Sequence, residues 1–190
     1  MSNYAGYVDI VSEALKNMVV TDSGGQTISQ EAGLDRWCAI TVDVKRYNAT
    51  MFFTGNGASA MMAGHMAADA SKNGGFRSLA FNDAALMTAI SNDIDYAESF
   101  ALPLGRFADP GDALVTISSS GNSPNIIRAI EKAREISLTV ITVSGMKPDN
   151  RSRGMGDLNF YVPGDTYGVV EAGHQVLLHY WLDRFMAQDA

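Results

Sequence analysis

The chain has 190 residues, 46% apolar and 18% charged, with 14 Lys and Arg against 21 Asp and Glu for a formal net charge of −7. This composition excludes a disordered chain, and an acidic chain without a basic run excludes nucleic acid and anionic membrane as expected partners. The single cysteine, Cys38, rules out an intrachain disulfide or a Cys-based zinc site, and no apolar run approaches the ~18 residues of a membrane span.

The opening stretch, MSNYAGYVDIVSEAL, has neither a basic n-region nor a cleavable apolar segment, so no secretion signal is expected and a cytoplasmic protein is. Tyr4, Tyr7, Val8, Val11, Leu15 and Met18 recur at three- and four-residue spacing and predict a helix. Residues 21–25, Thr-Asp-Ser-Gly-Gly, read as a turn. Leu34, Trp37, Cys38, Thr41 and Val44 repeat the helical spacing. Residues 1–48 are therefore expected to form a helical hairpin packing on the core and on neighbouring subunits.

From residue 49 the pattern alternates. Short apolar runs at 50–54, 78–81, 113–118, 138–144 and 158–162 predict strands. Helical patterns fall at 59–71, at 83–91 with a continuation to about 104, at 123–136 and at 167–186. Such alternation implies right-handed crossovers and an α/β three-layer sandwich around a five-stranded parallel, flavodoxin-like sheet over 49–190. Ligands then belong beyond the carboxyl ends of the strands.

Two loops at such ends stand out. Thr54-Gly-Asn-Gly-Ala-Ser59 lets the backbone approach a ligand and opens a helix; it is either a phosphate or sugar cradle or a tight turn. Ser118-Ser-Ser-Gly-Asn-Ser123 precedes Pro124. A well-capped helix needs one serine there, not four hydroxyls, and hydroxyls with backbone N–H groups bind a phosphate dianion without Lys or Arg. His65 and Asp69 share one helix face, and Glu171, Gln175 and His179 form a polar stripe on the last helix with His174 beside it. A His/carboxylate pair on each of two helices serves acid–base catalysis or holds a divalent metal; the residues leave both uses open. Asn92-Asp93 is a helix cap or a sugar contact, and Met61, Met62 and Met66 are candidates for a subunit contact.

The Gly-Asn-Gly-Ala-Ser loop, the His-Met-Ala-Ala-Asp helix, the Ser-Ser-Ser-Gly-Asn-Ser loop and the Glu-x-x-His-x-x-x-x-His helix together resemble the sugar isomerase (SIS) domain family, and within it the phosphoheptose isomerases. The resemblance covers nearly the whole chain. It implies a homotetramer interconverting sedoheptulose 7-phosphate and glycero-manno-heptose 7-phosphate, with sites at subunit interfaces, zinc or another divalent metal in each, and no nucleotide cofactor. It implies that Ser118, Ser119, Ser120 and Ser123 hold the phosphate with Ser59 nearby. Asn56, Gly57, Ala58, Asn92, Asp93 and Glu171 would contact the sugar. His65, Asp69, Glu171 and His179 would occupy the metal positions, with Asp69, His179 and Glu171 also catalytic. Two positions depart from the family pattern: Asp69 stands where Glu is usual, and Glu171 where Gln is common. The alternatives are a non-catalytic SIS-type phosphosugar sensor or partner-binding protein, or an isomerase of a different sugar phosphate.

Overall fold

A computed structural model describes residues 3–189. Helix α1 (Tyr4–Lys16) starts where the Asn3 side chain accepts the Gly6 N–H. Strands β1 (Val19–Asp22) and β2 (Thr27–Ile28) follow, then α2 (Gln30–Arg46), capped by Ser29. The remaining elements alternate: β3 (Thr50–Gly55), α3 (Ala58–Lys72), β4 (Arg77–Ala80), α4 (Ala84–Asp93), α5 (Glu98–Phe107), β5 (Ala113–Ser118), α6 (Pro124–Glu135), β6 (Thr139–Gly145), β7 (Leu158–Val162) and α7 (Tyr167–Asp189).

The sheet runs β2-β1-β7-β6-β5-β3-β4. Strands β3 to β7 are parallel to one another, and their order, β4-β3-β5-β6-β7, is the flavodoxin-type order. The sheet as a whole is mixed and seven-stranded, which corrects the expectation of five parallel strands: β1 joins β7 antiparallel, and β2 joins β1. Helices α1 and α2 are accordingly separated by a β-hairpin rather than by a simple turn. The residues expected as a turn do turn the chain, but between strands. Asp22 Oδ1 accepts the N–H groups of Gly24 (3.0 Å) and Gln26 (2.9 Å), and Gly25 takes φ +75°. The single helical pattern expected from residue 83 to about 104 is also two helices. Asp95 Oδ1 accepts the Ala97 N–H at 2.7 Å and restarts the chain as α5.

The pleat sorts side chains onto two faces. Met51, Phe53, Val115, Ile117 and Ile141 pack under α2, α3 and α7. There Trp37 stacks on Trp181, with centroids 4.6 Å apart, and tilts on Phe160 at 5.1 Å. Phe52, Leu114 and Val140 face Phe100, Leu104, Ile126 and Ile130 from α5 and α6. The result is three layers. Met62 and Met66 belong to the first core at 6% and 0% exposure, so of the three methionines considered for a subunit contact only Met61, at 74%, faces outward.

His174 lies wholly inside that core. Its Nε2 lies 3.0 Å from the Ser144 carbonyl, which fixes Nε2 as the protonated nitrogen of the neutral ring, and burial pushes its pKa down to about 4. The folded chain thus keeps this ring neutral until about pH 4, whereas the unfolded chain takes up the proton near pH 6.5. Stability is therefore full above pH 6.5 and falls between 6.5 and 4, by roughly 3 kcal/mol if this ring acts alone. Urea titrations across that range should show the loss, and His174→Gln, which keeps an N–H donor, should shrink it. An unchanged slope in the variant would remove His174 as the cause.

Candidate active site

The site forms where the sheet order reverses. Crossovers leave β3 and β5 in opposite directions, so their carboxyl ends open a crevice. The loop after β3 enters it through two glycines. Gly57 sits at φ +55°, ψ −122°, a region closed to side-chain-bearing residues, and a Cβ on Gly55 would lie 2.5 Å from the Ser59 carbonyl oxygen. Neither α3 nor α6 has a side-chain hydrogen bond at its N-cap. Ser123 holds the N-cap position of α6 but does not cap with its hydroxyl, contrary to the simplest reading of Ser123-Pro124. Two helix N-termini therefore present their positive ends to one cleft.

That cleft measures about 280 Å³. Asn56, Gly57, Ala58 and Ser59 line one wall, and Ser118, Ser119, Ser120 and Ser123 the other. Ile117, Tyr167 and Glu171 close it. No Lys or Arg is among the lining residues, and Glu171 is the one charged side chain of the lining. Two serines shape the loop: Ser118 Oγ accepts the Gly121 N–H at 3.2 Å and Ser120 Oγ the Asn122 N–H at 3.3 Å. Ser119 is different. Its Oγ is buried and has no partner in the protein, so it is a donor left for something in the cleft.

The Asn56 amide is engaged within the protein through one N–H and its oxygen. Asn56 and Asn125 exchange two hydrogen bonds, both 2.9 Å, and Asn56 Oδ1 also accepts the Tyr96 hydroxyl at 2.8 Å. Asn125 is fully buried and also donates to Ser99 Oγ at 3.2 Å. The pair bolts the β3 loop to the helix that follows the serine loop. Asn92 and Asp93 end α4, exposed and hydrogen-bonded to each other at 2.8 Å, and are not among the residues lining the cleft. Sequence reasoning missed Asn125, Tyr96, Ile117 and Tyr167. Only Tyr167 carried a signal, as the first residue of the last predicted helix.

A second cluster lies elsewhere. His65 Nε2 is 3.3 Å from Asp69 Oδ2, the His65 and His179 rings are 5.1 Å apart, and one ligand atom from each of the three residues lies within 4.8 Å of the others. Glu171 is not part of this group. At 1.5 Å per residue, His65 is about 9 Å along α3 from Ser59 and His179 about 12 Å along α7 from Glu171. The cluster thus sits about two turns down the helices, with half of the His65 side chain exposed. Two imidazoles and a carboxylate form a three-ligand set of the kind that leaves zinc an open position. The 3.3 Å His65–Asp69 separation matches the edge of a tetrahedron with bonds of ~2.0 Å, so these two donors suit one ion, and the His179 donor lies within 4.8 Å of both.

A SIS domain family profile matches residues 7–145. The chain belongs to the SIS domain family. It is 36% identical over 140 residues to a phosphoheptose isomerase of Mycobacterium tuberculosis, covering 70% of this chain and 71% of that protein. A phosphoheptose isomerase of Helicobacter pylori is 28% identical over 150 residues, covering 76% and 78%. The structure of a phosphoheptose isomerase from Neisseria gonorrhoeae superposes with a TM-score of 0.81 at 25% identity, covering 95% of this chain and 94% of that one. Among the described residues of this SIS protein, no helix is long and apolar enough to cross a membrane.

The amide pair makes a direct prediction. Asn125→Ala strands Asn56 Nδ2 and takes one of the two donors from its Oδ1, and unfolding titrations should register a loss of about 1–3 kcal/mol. Tyr96→Phe, at an exposed position, should cost less than Asn125→Ala.

Proposed function

We propose that the chain is an aldose–ketose isomerase that converts sedoheptulose 7-phosphate to glycero-manno-heptose 7-phosphate. The observation that carries this reading is the buried, unpartnered Ser119 hydroxyl in a serine-walled cleft set between two helix N-termini. The choice of a heptose phosphate follows the relatives, which are phosphoheptose isomerases. The phosphate sits at the serine end, away from the Glu171 carboxylate. Ser118, Ser119, Ser120 and Ser123 hold it with Ser59 nearby, and the backbone of 56–58 borders the sugar. Binding energy gathered there, remote from the reacting carbons, is spent on placing C1 and C2.

Isomerisation moves one proton between those carbons. The Asp69 carboxylate removes it from C1 of the ketose, giving an enediol, and returns it to C2. His179 moves the matching proton from the C1 hydroxyl to the carbonyl oxygen on C2. Glu171 is the second carboxylate of the site. His65, Asp69 and His179 of one subunit, with Glu171 from the cleft of another, would hold a zinc ion, which would polarise a carbonyl oxygen. The reaction needs no nucleotide.

The cluster and the cleft of one chain lie about two helical turns apart, and the cluster faces outward beside Met61, Val176 and Tyr180, three of the exposed apolar side chains. In this reading the protein is a cytoplasmic homotetramer, with residues 1–48 packing on neighbouring subunits. Each site then joins the cleft of one subunit to the cluster of another. Asn92 and Asp93 reach the sugar from the rim of that joint.

Asp69→Asn should cut turnover of sedoheptulose 7-phosphate by roughly a thousandfold while the phosphosugar still binds. Equal turnover in the variant rejects Asp69 as the base. Sharing between subunits has its own test. Ser123→Asp keeps a good N-cap residue but sets a carboxylate against the phosphate. Mixed and reassembled with Asp69→Asn, two inactive proteins should regain about a quarter of wild-type activity, because that share of sites draws an intact half from each. No recovery in verified hetero-oligomers would put the whole site within one chain.

A further inference from the structure

We infer that Asn150 is a positioning residue that clamps the serine loop from the side opposite Asn125. Its side chain is buried, at 5% exposure, in the loop that follows β6. Nδ2 donates to the carbonyls of Lys147 (2.9 Å) and Gly145 (3.2 Å) and to Ser144 Oγ (3.4 Å). Oδ1 accepts the Arg153 N–H at 3.1 Å and the Ser152 hydroxyl at 3.2 Å. One amide thus organises the segment from Ser144 to Arg153. The segment begins under strain: Met146 has φ +54°, unusual for a side chain of its size, and the Tyr161 hydroxyl holds its carbonyl at 2.7 Å.

The organised segment grips the serine loop at three points. The Ser152 N–H donates to the Gly121 carbonyl at 2.9 Å, and the Arg151 N–H to Asn122 Oδ1 at 3.0 Å. Between them Gly121, at φ +61°, lies directly on Asn150, where a Cβ would come within 1.9 Å of Oδ1. Asn150 itself is not among the residues lining the cleft, so it acts through Gly121. Its contact fixes the turn that aims Ser118, Ser119 and Ser120. Hydroxyls and amides that bind a dianion without a fixed positive side chain depend on convergence, and a loop free to relax loses it.

This inference rests on the reading of the serine loop as the phosphate seat, and the experiment separates the two. Asn150→Ala should raise KM for sedoheptulose 7-phosphate and the inhibition constant of inorganic phosphate together, each by roughly tenfold or more, with kcat within about threefold. Asn122→Ala, at an exposed position, removes the Arg151 tether together with the Asn122 Nδ2 bond to the Ser120 carbonyl at 3.1 Å, and leaves the Asn150 and Ser152 contacts in place. It should move the same two constants in the same direction by less, and it serves if Asn150→Ala fails to fold. Wild-type KM and phosphate inhibition in a folded Asn150→Ala overturn the clamp, as does a fall in unfolding midpoint with both constants unmoved. If Asn150→Ala does not fold, unmoved constants in Asn122→Ala overturn it. Wild-type protein that neither turns over the sugar nor responds to phosphate overturns the phosphate seat and the clamp with it.

Discussion

The reversal of strand order between β3 and β5 is the constraint on which the cleft depends. Because the crossovers depart on opposite sides, nothing covers the two carboxyl ends, and α3 and α6 both start there. The reversal also leaves two loops with no backbone ladder between them. The Asn56–Asn125 amide pair supplies the missing link, and Asn150 supplies a corresponding one towards β6. The serine loop is therefore held from both flanks by amide side chains, which satisfy donors and acceptors at once and carry no charge to compete with a bound anion.

That neutrality shapes the electrostatics. The chain is acidic overall and no Lys or Arg lines the cleft, so attraction for a phosphate must come from oriented N–H groups and hydroxyls. Fixed dipoles act at short range and leave the net charge unchanged. Glu171, the one charged side chain of the lining, adds a carboxylate that repels an anionic group brought near it.

The features legible in the sequence were those written in local spacing. The serine loop was visible as a surplus of hydroxyls over what a helix cap requires. His65 and Asp69 were visible as an i,i+4 pair, and the structure brings His179 to them. The parallel pairing of β3 to β7 followed from alternation, and their order was expected only from the fold class. Asn125 and Asn150 were invisible because an asparagine that joins loops 69 residues apart, or packs on a distant glycine, leaves no periodic trace. The β-hairpin escaped notice for a related reason: a two-residue strand has no alternation to read, and Val19-Val20 lies between the helical pattern ending at Met18 and the turn beginning at Thr21. Glu171 shares a stripe with His179 in sequence, yet eight residues of helix place it in the cleft and not in the cluster.

The sheet's margins carry a consequence of their own. One edge, β2, is two residues long, and the other, β4, is four, with Arg77 exposed at its start. Margins so short give a foreign strand little to pair with, which guards against edge-to-edge aggregation. They also close off the sheet as a route for building larger structures. The chain's helices remain as broad surfaces for assembly, and α3 and α7 carry the His65 and His179 imidazoles on theirs.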